Sequence, residues 1–260
     1  MQKENIKFSA STVFEGMTSI RSVIKSIDLG ISDRKIEKII FDKAKIPKIK
    51  KELGYFKAVM DKYGFELVEA DEEQLDKMTL GTSHGGIVAV CSKRSIPCIN
   101  SSASLSDYGF YAMIQGIEDP YNFGYSLRSL YAVGCDGIIL PKRNWMSAAG
   151  VVCRSSAGAS ELFEMFEGEG SEAVLEFKKR GYNVVCADER TDNILGECAL
   201  PLPILLIIGG EKRGISKEIL DLANTLVRID YGREFKASLS AASATTMFAY
   251  EIMRQNKIKK

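Results

Sequence analysis

The sequence predicts an α/β protein with a mostly parallel sheet. Segments with apolar residues at helical spacing alternate with short apolar runs typical of strands along most of the 260 residues. The run Ile204–Ile208 is apolar throughout, as expected for a strand that is buried on both faces of a parallel sheet. The composition, 45% hydrophobic and 27% charged, is typical of a folded globular chain.

The first region, residues 1–94, is expected to form a small α/β domain. Met17–Asp28 has apolar residues at helical spacing and is followed by Gly30, a helix stop signal. The other elements expected in this region are strands at Lys38–Phe41, Phe65–Val68 and Ile87–Cys91 and a helix at Ile46–Tyr63. A serine-rich segment without periodicity, residues 95–106, is the expected linker to a second domain.

The second region, residues 107–260, repeats the alternation of strands and helices. The expected strands are Phe110–Ile117, Gly137–Leu140, Asn183–Ala187, Ile204–Ile208 and Leu226–Ile229. The expected helices are Asn122–Val133, Ser147–Cys153, Ser171–Lys179, Ser216–Leu222 and Ala237–Arg254. This region therefore supplies the strands of a parallel sheet.

The bulk properties argue against several classes of protein. The net charge is only +1 at pH 7, which is weaker than the charge of many nucleic-acid-binding domains. The six cysteines include no CxxC pair and the chain has one histidine, so a zinc site is not expected. Reduced thiols, an N-terminus without a signal-peptide core and the lack of a bilayer-length apolar run predict a cytoplasmic protein.

Three segments carry residues suited to ligand chemistry, and the first follows a predicted strand. It reads IEDPYNFG over residues 117–124, with Arg128 downstream. Open parallel sheets bind their ligands at the carboxyl ends of the strands. Asp119 and Pro120 favour a turn, and Asn122 is expected to cap the next helix. A capped turn with a surface arginine would explain the same residues without any function.

The other two segments lie near the C-terminus. GGEKRG, residues 209–214, directly follows the apolar strand, where glycines let a ligand approach the backbone. A tight turn in which Glu211 pairs with its basic neighbours is the plain alternative. The third segment reads SLSAASA over residues 238–244, and its small residues would let the start of the last helix pack closely on a cofactor or another backbone. There the plain alternative is that Ser238 is only the helix N-cap.

In this order and spacing the three segments resemble motifs 1, 2 and 3 of the SpoU/TrmH family of RNA 2'-O-ribose methyltransferases. The matching stretches are Asp119–Arg128, Gly209–Gly214 and Ser238–Ala244. The first region is similar to the substrate-binding domain of that family, through FEG at residues 14–16 and HGGIVA at residues 84–89.

The resemblance implies a small αβα sandwich followed by a catalytic domain with an α/β trefoil-knot fold. It also implies a homodimer formed through the catalytic domains, S-adenosyl-L-methionine as the cofactor, and no metal. The implied reaction is attack of a ribose 2'-hydroxyl of RNA on the methyl group of S-adenosyl-L-methionine. By motif position, the cofactor-binding residues are Gly209, Gly214, Ile229 and Leu239.

The resemblance also implies the catalytic candidates, which are Arg128, Asn122, Ser238, Ser240 and Glu211. The family assigns removal of the hydroxyl proton to the arginine of motif 1. A guanidinium that stays protonated could instead bind the neighbouring phosphate and favour the developing alkoxide, and both roles stay open. Asn122 is expected to orient the ribose or the arginine, and Ser238 to support that network.

Two positions depart from the family pattern. Ser240 stands where the family usually has asparagine, and Asp230 stands where a proline usually follows the strand. Serine keeps a hydroxyl donor and acceptor but lacks the reach of the amide. These departures motivate a second hypothesis, an RNA-binding protein that kept the fold and lost turnover. A third is a nucleotide-binding α/β protein outside the family. Ribosomal RNA is the expected substrate, with tRNA as the alternative.

A basic stretch in the first region is expected to contact RNA. Tyr55 and Phe56 are interleaved with its lysines, and such groups suit phosphate contacts and stacking. A solvated helix face is the alternative. His84, in a glycine turn, is expected to be structural. The lysines are Lys43, Lys45, Lys48, Lys50, Lys51 and Lys57.

Overall fold

The computed structural model describes residues 12–79, 84–117, 119–141 and 145–258. The chain forms two compact units. The first contains Met1–Ser95 together with Trp145–Leu162, and the second contains Ile96–Asn144 together with Phe163–Lys260. A segment from the middle of the chain therefore belongs to the same unit as the N-terminal region.

The order of elements follows the predicted alternation. The strands are β1 (Val13–Glu15), β2 (Ile36–Asp42), β3 (Glu66–Ala70), β4 (Ile87–Cys91), β5 (Phe110–Gln115), β6 (Gly137–Leu140), β7 (Glu164–Glu167), β8 (Asn183–Ala187), β9 (Ile204–Gly209) and β10 (Thr225–Val227). The helices are α1 (Gly16–Asp28), α2 (Ile46–Tyr63), α3 (Glu72–Met78), α4 (Pro120–Ala132), α5 (Ala149–Ser155), α6 (Gly170–Lys179), α7 (Lys217–Leu220) and α8 (Ala241–Asn256).

The first unit is built on a four-stranded sheet in the order β1-β4-β2-β3, in which only the β2–β3 pair is parallel. Successive residues of a strand face opposite sides of a sheet, so Ile39 and Ile40 lie in different cores. Ile39 packs with α1, α2 and α5, whereas Ile40 packs with Leu75 of α3. Helices on both faces confirm the predicted αβα sandwich.

The helix α2 carries most of the basic stretch, and only one of the two aromatic rings in that stretch is exposed for contact with RNA. Pro47 stands in its first turn and Gly64, with φ of 70°, ends it. Tyr55 is exposed, but Phe56 is fully buried in the core of the first unit. The expectation that both rings are interleaved with the lysines for contact with RNA is therefore wrong for Phe56, because neighbouring helix positions face different directions.

The second unit contains a six-stranded sheet in the order β10-β8-β9-β5-β6-β7, and every pair is parallel. The strand β9 lies between β8 and β5, and its run Ile204–Ile208 is buried throughout, as predicted. On one face Phe177 of α6 and Ile219 of α7 belong to the core. The helices α4 and α8 pack on each other, and α8 also contacts β9.

Three elements were not expected from the sequence. The strand β1 is only three residues long, and the four-residue β7 has just two apolar residues, Met165 and Phe166, between two exposed glutamates. The helix α3 has the sequence EEQLDKM and buries a single residue, Leu75, so its apolar periodicity is too short to detect. Asp71 forms a capping box with Gln74, a local signal that would have found it.

The serine-rich segment after residue 95 packs on the second unit. The N–H of Ile99 donates to the carbonyl of Glu167 at 2.7 Å, and the Ile99 side chain is buried in the core of that unit. Ala103 and Leu105 pack against the same core. The lack of periodicity therefore reflects an irregular segment that is held in place by apolar contacts.

All six cysteines are free thiols, and four of them are buried. Burial raises the pKa of the Cys91 and Cys186 thiols to about 12, which keeps them protonated at neutral pH. His84 is buried, with Nδ1 accepting from the Gly86 N–H at 3.0 Å and Nε2 lying 3.0 Å from Asp76. It therefore supports the turn it stands in. Across the described residues, no helix combines the length and the apolarity that crossing a bilayer requires.

Candidate functional site

The first motif segment lies where β5 ends and α4 begins. Asp119 is the N-cap of α4, and its carboxylate accepts the Asn122 N–H at 2.7 Å, with Pro120 as the first helical residue. The expectation that Asn122 caps the helix is therefore wrong. Asn122 is the third residue of the helix, and its half-buried side chain lines a cavity described below. Glu118 lies outside the described residues.

The candidate Arg128 is exposed on α4. Its side chain makes no hydrogen bond or ion pair with any residue that the structure describes. Tyr121 and Tyr125 are also exposed, and the spacing of the three residues puts them on one stripe of the helix. A guanidinium without an internal partner, next to two exposed rings, is available to a phosphate or to another protein surface.

The second motif segment forms a tight turn in which backbone approaches backbone. The Gly214 N–H donates to the Gly210 carbonyl at 2.9 Å. A Cβ at Gly209 would lie 2.6 Å from the carbonyl carbon of Gly214, and a Cβ at Gly210 would collide with the carbonyl oxygen of Gly116. Gly214 has φ of 60°. The close approach of chain segments therefore requires glycine at positions 209 and 210, and the left-handed backbone favours it at position 214.

The side chain of Glu211 links the second motif segment to the third. Its carboxylate accepts the N–H of Ala241, the first residue of α8, at 3.4 Å. The carboxylate makes no ion pair within the described residues, so the alternative in which Glu211 pairs with its basic neighbours is wrong. An anion at a helix N-terminus is favoured by the helix dipole, and this position keeps Glu211 at the edge of the site.

The third motif segment enters α8 later than expected. Ser240 is the N-cap, with its hydroxyl oxygen accepting the Ser243 N–H at 3.1 Å. The alternative in which Ser238 serves as the N-cap is therefore wrong, and the predicted helix start at position 237 is four residues too early. The N–H of Leu239 donates to the hydroxyl of Tyr231 at 3.3 Å. This bond ties the segment that precedes α8 to the segment that follows β10.

Two cavities bring the three segments together. The smaller has a volume of about 50 Å³, and it is lined by Ile117, Asp119, Asn122, Glu211, Lys212 and Ala241. The larger, of about 720 Å³, is lined by all four predicted cofactor-binding residues, which are Gly209, Gly214, Ile229 and Leu239. Glu211 and Ala241 line both cavities, and Ser238 lines the larger one. Arg128 and Ser240 line neither.

The wall of the larger cavity carries carboxylates that are held by arginines. Arg190 donates from Nε and Nη2 to the two oxygens of the Asp188 carboxylate, at 2.9 and 2.7 Å, and this bonding lowers the pKa of Asp188. Asp230, the residue that departs from the family pattern, accepts from Arg228 at 2.6 Å. The Asp188 carboxylate therefore stays ionised at neutral pH beside the cavity, and the Asp230 carboxylate is paired with Arg228.

Several lining residues of the larger cavity were not predicted from the sequence, among them Asp188, Arg190, Tyr231 and Phe235. Asp188 and Arg190 directly follow β8, and the rule that ligands bind at the carboxyl ends of parallel strands could have found them. Tyr231 and Phe235 follow β10, with ring centroids 5.9 Å apart in an edge-on arrangement. No sequence signal marks these two rings.

The residues present fit a nucleoside cofactor that carries a positive charge. The volume is in the range of small-molecule sites, roughly 300–1,000 Å³. The glycine turn exposes backbone groups, Ile208, Val227 and Phe248 supply apolar contacts, and Asp188 and Asp230 supply negative charge. These groups suit, in turn, the hydrogen-bonding edge of a base, its faces and a sulfonium.

Comparison with known families matches both parts of the chain. The model of the SpoU rRNA Methylase family matches residues 109–250, and a model described as RNA 2'-O ribose methyltransferase substrate binding matches residues 15–97. A 23S rRNA (guanosine-2'-O-)-methyltransferase, RlmB, from Shewanella oneidensis is 27% identical over 75% of this chain and 80% of that relative. An uncharacterized tRNA/rRNA methyltransferase from Mycobacterium ulcerans is 26% identical over 75% of this chain and 64% of its own length.

Solved structures share the fold. An AdoMet-bound rRNA methyltransferase from Sinorhizobium meliloti has a TM-score of 0.77 at 21% identity, over 94% of this chain and 87% of that one. The SpoU methyltransferase AviRb from Streptomyces viridochromogenes, in complex with AdoMet, has a TM-score of 0.74 at 20% identity, over 94% and 89% of the two chains. At these identities the likeness concerns the fold, and the predicted α/β-knot fold is confirmed.

Proposed function

The chain belongs to the SpoU rRNA methylase family, whose members methylate RNA with S-adenosyl-L-methionine, and on this premise we propose that it methylates a ribose 2'-hydroxyl of ribosomal RNA. Residues 107–260 are the proposed catalytic domain and residues 1–94 the proposed RNA-binding domain. Ribosomal RNA is preferred because the relative from Shewanella oneidensis is named for 23S rRNA. The double designation tRNA/rRNA of the mycobacterial relative keeps tRNA as the second candidate. An RNA substrate of either kind favours a cytoplasmic location.

The observation that carries the proposal is the meeting of the three motif segments around two cavities with shared walls. The larger cavity fits the cofactor and the smaller lies beside it, next to Asn122. When bound, S-adenosyl-L-methionine supplies an electrophilic methyl group. Gly209, Gly214, Ile229 and Leu239 would hold it, largely through backbone groups that the glycine turn leaves open.

The chain's own polar residues would orient and activate the hydroxyl. Asn122 faces the smaller cavity and has an amide that can bind a ribose oxygen. Glu211 holds the start of α8 against the second motif, Ser238 lines the larger cavity, and Ser240 caps α8. In this proposal Ser240 preserves the helix start, which is a structural task that a serine performs as well as asparagine does.

Arg128 is the proposed catalytic residue that acts on the substrate's charge. As a cation with several N–H donors, its guanidinium would bind the phosphate beside the reacting ribose and stabilise the developing alkoxide. It lines neither cavity of its own chain, and it lies on a stripe with exposed Tyr121 and Tyr125. We therefore propose a homodimer formed through this face, in which Arg128 of one protomer serves the site of the other.

The test is methyl transfer by the purified protein from tritiated S-adenosyl-L-methionine to unmodified ribosomal RNA and, separately, to unmodified tRNA. Arg128→Ala is expected to lower kcat at least a hundredfold, because loss of one group that stabilises developing charge has an effect of that order. Cofactor binding, measured by calorimetry, should be unchanged. Arg180→Ala is the matched control, since the Arg180 side chain of the same unit makes its only hydrogen bond within the described residues to a main-chain carbonyl, that of Asn100.

The position of the methyl group separates ribose from base methylation. A ribose 2'-O-methyl group blocks alkaline cleavage of the next phosphodiester, so the label should remain in an alkali-resistant dinucleotide. Label in mononucleotides would contradict ribose methylation. Cofactor and RNA binding without transfer would support the second hypothesis, a protein that kept the fold and lost turnover. In that case Ser240→Asn tests whether the departure at position 240 causes the loss.

A further inference from the structure

We propose that a groove between α1 and α2 of the first unit binds a single-stranded segment of the RNA substrate. This inference rests on the proposed function, because it takes the ligand to be RNA. The groove has a volume of about 660 Å³, enough for one or two nucleotides. Its lining residues are Arg21, Ile24, Lys25, Asp28, Lys51, Glu52 and Tyr55.

The cations of the groove are available to a ligand. Arg21, Lys25 and Lys51 are exposed, and none of their side chains makes an ion pair or hydrogen bond with a described residue. Three cations along one groove supply positive charge for a phosphate backbone. Because their side chains make no ion pair or hydrogen bond within the described residues, no such bond must break when RNA binds.

The carboxylates of the groove oppose this charge only weakly. Asp28 accepts from Lys62 at 2.8 Å and from the Tyr63 hydroxyl at 2.9 Å, and the Lys62 bond lowers its pKa. Its negative charge is thereby balanced within the protein. Glu52 is the remaining carboxylate of the lining, so the cations exceed the uncompensated acids. The groove therefore favours an anionic ligand.

The aromatic ring of Tyr55 indicates that the anionic ligand is a nucleic acid, because a base can stack on it. The ring is 39% exposed, and it packs at a tilt of 58° against the buried ring of Phe56, with centroids 5.4 Å apart. A supported ring beside cations is the arrangement on which unpaired bases stack while the backbone meets positive charge. Duplex RNA presents no free base face, so a single strand fits better than a helix.

Binding of fluorescein-labelled single-stranded A12 RNA to the full chain, measured by anisotropy, tests the groove. Tyr55→Ala is expected to weaken binding about tenfold through loss of stacking, whereas Tyr55→Phe should keep the affinity within about twofold. The triple variant Arg21→Gln, Lys25→Gln, Lys51→Gln should reduce the slope of log Kd against log salt by about two. The matched control is Lys35→Gln, Lys77→Gln, Lys93→Gln, which neutralises exposed lysines elsewhere on the same unit and should leave A12 binding unchanged.

Three results would overturn the proposal. They are wild-type A12 affinity in Tyr55→Ala, tighter binding of an A12·U12 duplex than of A12, and displacement of A12 by polyglutamate at equal charge concentration. The last result would point to an acidic protein as the occupant. Circular dichroism of each variant shows that a loss of binding is not a loss of folding.

Different measurements would refute the RNA-binding groove and the proposed methyltransferase activity. If the groove is right and the enzyme is active, Tyr55→Ala raises KM for RNA and leaves kcat and cofactor affinity unchanged. Loss of A12 binding in the groove variants of a protein that transfers no methyl group supports the groove and refutes the activity. Wild-type A12 binding in those variants, with methyl transfer intact, refutes the groove alone.

Discussion

The cavity of the second unit is shaped mainly by the backbone, whereas the groove of the first unit is lined mainly by charged side chains. The cavity lies at the carboxyl edge of an all-parallel sheet, and its glycine turn brings backbone against backbone. The groove lies between two helices and is lined by long charged side chains and one ring. The cavity therefore depends on shape that the sheet imposes, whereas the groove depends on charge that the side chains carry.

This difference predicts opposite tolerance to small substitutions. A backbone-built site has no room for one added carbon, because neighbouring chain segments already touch. A site built from exposed side chains accepts small changes of shape and responds instead to changes of charge or ring. The glycines of the two units test the contrast directly, since Gly210 is crowded by Gly116, whereas a Cβ added at Gly54 would meet nothing within 4 Å.

The largest effect is expected for Gly210→Ala. Its Cβ would collide with the Gly116 carbonyl oxygen, so the ends of β5 and β9 must separate or the turn must open. We expect cofactor binding to fall below detection in calorimetry, with a lower thermal midpoint. Gly232→Ala is the matched control, because a Cβ there meets nothing within 4 Å. Equal cofactor affinity in the two variants would contradict a backbone-built cavity.

The second-largest effect is expected from disrupting a buried ion pair of the first unit, Arg34 with Glu161. Arg34 contacts Glu161 through Nε at 2.8 Å and through a second nitrogen at 3.2 Å, and both side chains are almost fully buried. Its remaining nitrogen donates to the Ser92 carbonyl, and its guanidinium lies 4.8 Å from the centre of the Phe14 ring. The pair therefore joins the segment 145–162 to the rest of the first unit.

Glu161→Ala is expected to lower the free energy of unfolding by about 3–5 kcal/mol, because it leaves the Arg34 charge buried without its partner. Urea unfolding followed by circular dichroism measures this. The double variant Arg34→Met, Glu161→Leu should recover most of the loss, since apolar residues of similar size can replace a buried pair. If Glu161→Ala were as stable as the wild type, the buried pair would contribute nothing to the free energy of unfolding. The charged residues of the first unit would then contribute to ligand binding at its surface and not to its stability.

The smallest effect is expected for Gly54→Ala in α2. Alanine has the higher helix propensity, and the added methyl group meets nothing within 4 Å. The substitution should raise the free energy of unfolding by about 0.5–1 kcal/mol and leave A12 binding unchanged. Destabilisation, or loss of RNA binding, would mean that the backbone of α2 is as tightly constrained as the turn at Gly210.

Much of the fold was accessible from local patterns. The helix Ile46–Tyr63 and the strands Ile87–Cys91, Gly137–Leu140 and Asn183–Ala187 were predicted with their observed bounds, because strong periodicity or apolar runs define them. The helix starts were less accurate. Asn122 and Ser238 are both plausible caps by residue type, yet Asp119 and Ser240 make the capping bonds. Serine, asparagine and aspartate stand close together in both segments, and only the course of the backbone selects among them.

The sequence by itself determined the alternation of strands and helices, the order of the three motif segments and the residues that each segment offers, because these properties are local. The tertiary structure decided which of those residues meet. It brings Glu211 to the N-terminus of α8, crowds Gly210 against Gly116, leaves Arg128 outside both cavities, and buries Phe56 while exposing Tyr55. Such contacts join residues that are distant along the chain, or separate neighbours by the face on which they stand. They follow from how the elements pack, which local propensity does not encode.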